Sequence, residues 1–512
     1  MTDVAQLTRL LVADLPGPTL DDTWRRHFET HRFGGVCLFR RNIASPAQLH
    51  RLVTDIREVL GEDALIAVDQ EGGAVLRLLE GPLVPAAMAI GAVGDDALSF
   101  ELGAVAARGL LAYGINWNYA PVLDVNNNPL NPVIGERSFG EDPAAVARLG
   151  VAWALGSESA GVLSAVKHFP GHGDTSVDSH LDLPVVRKSA AELEACEWRP
   201  FREAVRSNVG SFMTAHILYP DLDPEHPATL SPTILTRLLR DEWKYDGLVV
   251  TDATDMRAIA ERHPNGEGAA LALVAGADMV LACTHGDLDA QVRQVDAVHR
   301  AARDGRLTPE RTASALRRVR AATARFPGTP KPYDAERRIR DEALASEAAR
   351  RAITAVGSVK GPRPDDRVLL VVPGESGVGG PYGDSLRGTD LADTLRVAFP
   401  RLQTVLYDAE RPEAAHEDIR RAECDFTLFA TTSRWKLSDA ELTLAKLTAS
   451  LGVPTLHLAL WNPYHVAVLP LPALVTYGFR DNALVALRNV LLGTPASGRL
   501  PVTLPATPSP AR

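Results

Sequence analysis

The chain has 512 residues, of which 46% are apolar and 23% charged, so it is longer than one ordinary domain and close to average globular usage. A net charge of −10 leaves no basic excess to neutralise phosphates and excludes a general nucleic-acid binder. No stretch approaches the roughly 20 continuous apolar residues of a membrane span. The N-terminus lacks the organisation of a signal peptide, and the four scattered cysteines form no CxxC pair, so the sequence predicts a cytoplasmic protein with reduced thiols and no zinc knuckle.

The first two-thirds repeat a short apolar run, a polar loop and a longer amphipathic segment. Strands are expected at Leu7 to Ala13, Gly35 to Phe39, Ala64 to Val68, Ile115 to Asn118, Leu163 to Lys167, Ser211 to Ala215, Leu248 to Thr251 and Asp278 to Leu281. Helices are expected between them, for example at Pro46 to Val59 behind Ser45 as N-cap, Asp95 to Tyr113, Asp142 to Ala160, Ser189 to Ser207, Ser231 to Glu242 and Gly266 to Ala275. This alternation predicts an α/β fold, a (β/α)8 TIM-type barrel over residues 1–325. An open doubly wound sheet is the rival, but no GxGxxG follows a strand.

Helices should fill Leu288 to Ala324. The breaker-dense Phe326-Pro327-Gly328-Thr329-Pro330-Lys331-Pro332 opens a linker, taken as 326–345. A smaller open α/β sandwich domain is expected over 346–512. Its strands are Arg367 to Val372, Thr404 to Tyr407, Phe426 to Thr431, Thr455 to Ala459 and Leu474 to Tyr477. It also contains a glycine-rich loop, Gly374 to Gly383, that lacks a Walker lysine. The Pro-rich tail from Pro505 is expected to be disordered.

In a barrel of this kind the active site lies at the carboxyl ends of the strands, so the residues after each apolar run carry the information. They are Asp69-Gln70-Glu71-Gly72-Gly73 with Arg77, then Asp124 and Gly135-Glu136-Arg137-Ser138-Phe139, then Lys167 and His168, His216, and Asp252. The set mixes signs, which suits a neutral polar ligand such as a sugar. The longest functional stretch is Lys167-His168-Phe169-Pro170-Gly171-His172-Gly173-Asp174-Thr175-Ser176-Val177-Asp178-Ser179-His180. Asp178 and His180 share a face in extended backbone, and a carboxylate beside an imidazole is a proton-transfer device. Each residue has a structural alternative. Asp69 fits a helix cap, Arg137 an ion pair holding its loop, Lys167 half of a buried pair, and Asp178–His180 a loop salt link. His172 and Asp174 are expected to shape their own loop, and Asp255 and Met256 to be structural.

These motifs, with Val250-Thr251-Asp252-Ala253 leading to Asp255-Met256, resemble glycoside hydrolase family 3, and within it the bacterial β-N-acetylglucosaminidases of cell-wall recycling. The matches span the whole barrel in order, and the C-terminal half resembles the family's second domain more loosely. The resemblance implies a retaining, exo-acting β-N-acetylhexosaminidase acting on peptidoglycan-derived or chitin-type fragments. Asp252 would be the nucleophile, and His180 paired with Asp178 the acid and base. Asp69, Arg77, Arg137, Lys167 and His168 would be sugar ligands in the −1 subsite, with His216 as a further substrate-binding candidate. It implies no metal or cofactor and a small-molecule N-acetylglucosaminide substrate. Neither nucleic acid nor membrane is an expected partner, and a monomer or a homodimer is expected.

Three rivals stand beside this reading. A β-glucosidase or β-xylosidase of the family typically shows Ser-Asp-Trp at the nucleophile, which Thr251-Asp252-Ala253 does not match. A phosphorylase would use the same residues. An inactive sugar-binding protein is opposed by the presence of every chemical residue of the pattern. In the β-glucosidase branch the second domain can supply an acid, and no clear candidate stands out among Glu375, Asp384, Asp390 and Glu410.

Overall fold

The computed structural model describes residues 4–179, 182–375 and 386–505. Eight short strands form one all-parallel sheet: β1 (Leu11–Ala13), β2 (Gly35–Leu38), β3 (Leu65–Val68), β4 (Trp117–Asn118), β5 (Leu163–Phe169), β6 (Ser211–Thr214), β7 (Leu248–Val250) and β8 (Val280–Leu281). Their order is β7-β6-β5-β4-β3-β2-β1-β8, and a parallel bridge between Val250 and Met279 closes β7 onto the segment entering β8. The sequence expectation of a TIM-type barrel therefore holds. Every strand residue is buried, because helices cover the outside and side chains fill the inside. Within the barrel the Trp117 indole N–H donates to Ser211 Oγ at 2.9 Å, and that hydroxyl donates to Ser164 O at 2.6 Å, so the bulky ring sits there with its polar edge satisfied.

Helix signals act where they were read. Ser45 and Gln48 cap Pro46–Leu60 reciprocally, and Asp142 accepts from Ala144 N at the head of Pro143–Ser159. Several expected elements differ. The first expected strand begins as helix, Val4–Leu7 then Thr8–Leu10, and only Leu11–Ala13 pairs with neighbours. The expected helix Ser189 to Ser207 is two, Ala190–Ala195 and Trp198–Arg206, each with its own start. Ser231 to Glu242 is a π-helix at Thr233–Glu242. Residues 335–345, expected in the linker, are the first half of the helix Ala335–Ala352, which Asp334 caps by accepting from Arg337 N.

A second sheet follows: β9 (Thr354–Val356), β10 (Val368–Pro373), β11 (Leu402–Tyr407), β12 (Phe426–Thr431), β13 (Thr455–Ala459) and β14 (Ala473–Val475). Its order is β11-β10-β12-β13-β14-β9, parallel except for β9, which sequence analysis did not identify. Polar contacts join this domain to the barrel. Arg480 Nε donates to Gly73 O at 2.9 Å, Asn482 Nδ2 to Leu83 O at 2.7 Å, Asn126 Nδ2 to Tyr464 Oη at 2.9 Å, and Glu141 N to Pro501 O at 3.0 Å. Most of the glycine-rich stretch Gly374 to Gly383, Asp384 and the tail beyond Pro505 fall outside the described residues. Among the described residues no helix is long and apolar enough to cross a membrane.

Candidate active site

A cavity of about 630 Å³ opens at the carboxyl ends of the barrel strands, a volume suited to a small polar ligand. Asp69, Arg77, Arg137, Lys167, His168 and Asp252 all line it. These residues come from four different strand ends, so only the closed barrel brings them together.

The centre of the site is a buried charge network. Lys167, at the end of β5, donates from Nζ to Asp69 Oδ1 at 2.8 Å and lies 2.6 Å from Glu71 Oε1. Arg137 holds Glu71 with two parallel bonds, Nε to Oε2 at 2.8 Å and Nη2 to Oε1 at 2.9 Å, and is itself anchored by Nη1 to Val133 O at 2.9 Å. Arg77 Nη2 reaches Asp69 Oδ2 at 3.3 Å. Burial alone would raise the pKa of Asp69, but Lys167 and Arg77 outweigh it and hold the carboxyl below its ordinary range. Burial opposes ionisation of Glu71 too, and Arg137 and Lys167 carry its pKa far down. Lys167 is the mirror case: burial disfavours its charge, while Asp69 and Glu71 hold it protonated. The result is a row of donors and acceptors at the end of the barrel, each held by its neighbours.

A second network orients His168. Asp124 Oδ2 accepts from His168 Nδ1 at 2.6 Å, while Oδ1 accepts the backbone N–H groups of His168 at 3.1 Å and His172 at 2.7 Å. Burial resists the Asp124 charge, but His168 keeps its pKa low. With Nδ1 committed to Asp124, the other ring nitrogen, Nε2, lies 3.5 Å from Arg137 Nη2.

The loop after β5 is knit by its own groups. His172 bonds Thr175 Oγ1 through Nδ1 at 2.8 Å and Ser179 Oγ through Nε2 at 3.1 Å. Burial, with help from His168, pushes its pKa down to about 4, so it is neutral. Asn131 Nδ2 donates to the carbonyls of His172 and Gly173, and the Tyr219 hydroxyl donates to Gly171 O. Asp174 pairs with Lys188 at 2.7 Å. His172 and Asp174 therefore do shape the loop. Gly173 sits where a Cβ would lie 1.6 Å from Val125 O, so no other residue fits. Asp178 is buried, and its carbonyl accepts from Asp182 N at 3.2 Å. His180, the expected acid and base, lies outside the described residues.

Asp252 follows β7, half-buried on the cavity wall, with Oδ1 accepting from Ala253 N at 2.8 Å. Thr251 turns inward and accepts from Leu281 N through Oγ1 at 3.0 Å, fixing the strand end that presents Asp252. His216 does not appear on the cavity wall; its ring is buried, bonded to Thr229 Oγ1 at 2.8 Å and Ala253 O at 2.9 Å. It thus braces the turn that follows Asp252. Asp255 and Met256, expected to be structural, both line the cavity. Burial lifts the Asp255 pKa to about 6 although His285, 3.2 Å away, opposes it.

Sequence reasoning gave no role to Glu71 and Asp124, the two carboxylates that set the geometry of Lys167, Arg137 and His168. Both stand in the strand-end motifs, and the signal was charge balance: a buried lysine, arginine and histidine need carboxylates of their own.

Comparison with known proteins agrees with this geometry. Residues 2–322 match the family described as the glycosyl hydrolase family 3 N-terminal domain. A β-hexosaminidase of Alkalilimnicola ehrlichii is 41% identical over 282 residues, covering 54% of this chain and 80% of the relative. One from Methylococcus capsulatus is 36% identical over 353 residues, covering 67% of this chain and 98% of the relative. The solved structure of a glycoside hydrolase family 3 β-N-acetylglucosaminidase from Paenibacillus sp. str. FPU-7 superposes with a TM-score of 0.92 at 33% identity, covering 99% of this chain and 100% of that one. The chain belongs to glycoside hydrolase family 3.

Proposed function

We propose that this protein is a retaining, exo-acting β-N-acetylglucosaminidase that removes terminal N-acetylglucosamine from peptidoglycan-derived or chitin-type fragments. The observation that carries the reading is the convergence of Asp252 with the Asp69–Lys167–Glu71–Arg137 network and His168 on one cavity wall. Mixed-sign groups held by one another present donors and acceptors to sugar hydroxyls. The relatives named β-hexosaminidase and β-N-acetylglucosaminidase support the choice of sugar.

In the first step an Asp252 carboxylate oxygen attacks the anomeric carbon. The bond to the leaving oxygen breaks, and protonated His180, with Asp178 as its partner, gives its proton to that oxygen. In the second step neutral His180 takes a proton from water, the hydroxide oxygen bonds to the anomeric carbon, and Asp252 leaves as carboxylate. One imidazole can serve as acid and then base when its working pKa lies near the ambient pH. Asp69, Arg77, Arg137, Lys167 and His168 hold the sugar, and His216 acts behind them by fixing Ala253.

Hydrolysis of matched aryl β-N-acetylglucosaminide and aryl β-glucoside, with and without phosphate, tests the reading. Strong preference for the acetamido sugar, with free N-acetylglucosamine as product, is expected. Preference for the plain glucoside would overturn the substrate assignment, and a sugar 1-phosphate product would make the protein a phosphorylase.

A further inference from the structure

In the C-terminal sheet the order in which the chain adds strands reverses between β10 and β12, which run parallel. In open α/β sheets the loops beyond the carboxyl ends at such a point are the functional edge. Here the loop after β12 carries Arg434, and it is turned toward the barrel. The guanidinium stacks over the Trp435 ring, 4.4 Å from its centroid, and Arg434 O accepts from Asn462 Nδ2 at 2.9 Å, so the side chain leaves from a fixed base. Its side chain is 10% exposed, and Nη2 lies 4.0 Å from Asp178 Oδ2, whose own side chain is 3% exposed. A cation and a carboxylate this close and this dry interact far more strongly than a surface pair.

The carboxyl of Glu136, the buried residue before Arg137, also lies in the field of Arg434. Burial lifts its pKa to about 7 despite Arg137 and Arg434, so it carries much less than a full charge near neutrality. The carboxylate of Asp178 is the group that approaches the Arg434 guanidinium, at 4.0 Å.

We propose that Arg434 is a positioning residue for Asp178, so that the acid–base machinery of this enzyme is completed by its C-terminal domain. The inference rests on the reading of Asp178 as partner of the acid and base given above. The second domain would then supply a cation to the dyad carboxylate.

The test compares kcat/KM for aryl glycosides with good and poor leaving groups, since only the poor ones need proton donation. Wild type, Arg434→Ala, Arg434→Lys, Asp178→Ala and the Arg434→Ala/Asp178→Ala double variant are measured, each with its thermal midpoint. If Arg434 acts through Asp178, Arg434→Ala loses at least about tenfold more on the poor leaving group than on the good one, a fraction of the roughly 10²–10⁴-fold that a general acid contributes. Arg434→Lys recovers part of that loss. The double variant stays within about twofold of Asp178→Ala, as two residues on one route do not add. Equal losses on both leaving groups, or losses that multiply in the double variant, would overturn the proposal. Should Arg434→Ala fail to fold, Arg434→Gln and Arg434→Lys give the same comparison. A wild type that prefers aryl glucosides would overturn the substrate reading alone, because the leaving-group ratio is then read on those glucosides. A wild type inactive on every aryl glycoside would overturn both.

Discussion

Glu71→Gln is the sharpest probe of the charge network, because it removes one charge and changes almost no volume. Glu71 accepts two bonds from Arg137 at 2.8 and 2.9 Å and stands 2.6 Å from Lys167, with all three side chains at most 6% exposed. At an effective dielectric of about 20, one such contact is worth roughly 6 kcal/mol before desolvation is counted. Removing one partner of a buried pair costs about 3–5 kcal/mol, because the other charge stays buried. Glutamine keeps an acceptor, so the low end applies, about 3 kcal/mol, on the order of a 3 °C fall in thermal midpoint for a chain of this size. The folded-state pKa of Glu71 is depressed below the ordinary glutamate value of 4.5. Its contribution is therefore fully present above that value and lost as pH falls through the folded one, so the gap between wild type and variant narrows in acid. Thermal melting near neutral pH and near pH 4, with KM for the aryl N-acetylglucosaminide, reads both effects. A variant that melts within about 1 °C of wild type at neutral pH and keeps its KM would refute the reasoning.

Glu136→Gln should behave in the opposite sense. The folded-state pKa is raised from 4.5 to about 7, so the stability due to this group is fully present below 4.5 and lost as pH rises through 7. At 1.36 kcal/mol per unit, the non-titrating glutamine gains on wild type by up to about 3 kcal/mol between roughly pH 5 and pH 8; denaturation midpoints at the two pH values check it, and parallel profiles would contradict it. Gly173→Ala places a Cβ 1.6 Å from Val125 O, so the loop after β5 must move. Turnover should fall by at least about 100-fold, as displacing a catalytic group by an ångström does, and near-normal turnover would show that this loop need not hold its shape.

Much of the barrel was legible because most strands are short, largely apolar runs with a charged or titratable group at or just beyond their ends. Those charged groups then met in one cavity, as strand ends of a closed barrel must. The failures have physical reasons. Residues 7–10 read as strand because Leu7 and Leu10 extend the apolar run Leu11–Ala13, and so short a stretch carries no period that separates helix from strand. The edge strand Thr354–Val356 is partly exposed and only three residues long, so it gave no apolar run to find. The helix Ala335–Ala352 was masked by its neighbouring proline-rich segment, and it is so rich in arginine and glutamate that its buried face rests mainly on alanines. For His216, also at a strand end, the sequence does not carry the ring's bond to Ala253 O. Arg434 lies far along the chain from Asp178, in a loop without a motif, and only the docking of the two domains brings them near.

The most direct test of the account is to trap the covalent intermediate. Wild type and Asp252→Asn are incubated with a slow fluorinated N-acetylglucosaminyl donor and digested, and the peptides are weighed. The account predicts one added sugar on the wild-type peptide containing Asp252 and none on the variant, which should also have lost turnover. A sugar attached to another carboxylate, or full turnover by Asp252→Asn, would contradict it.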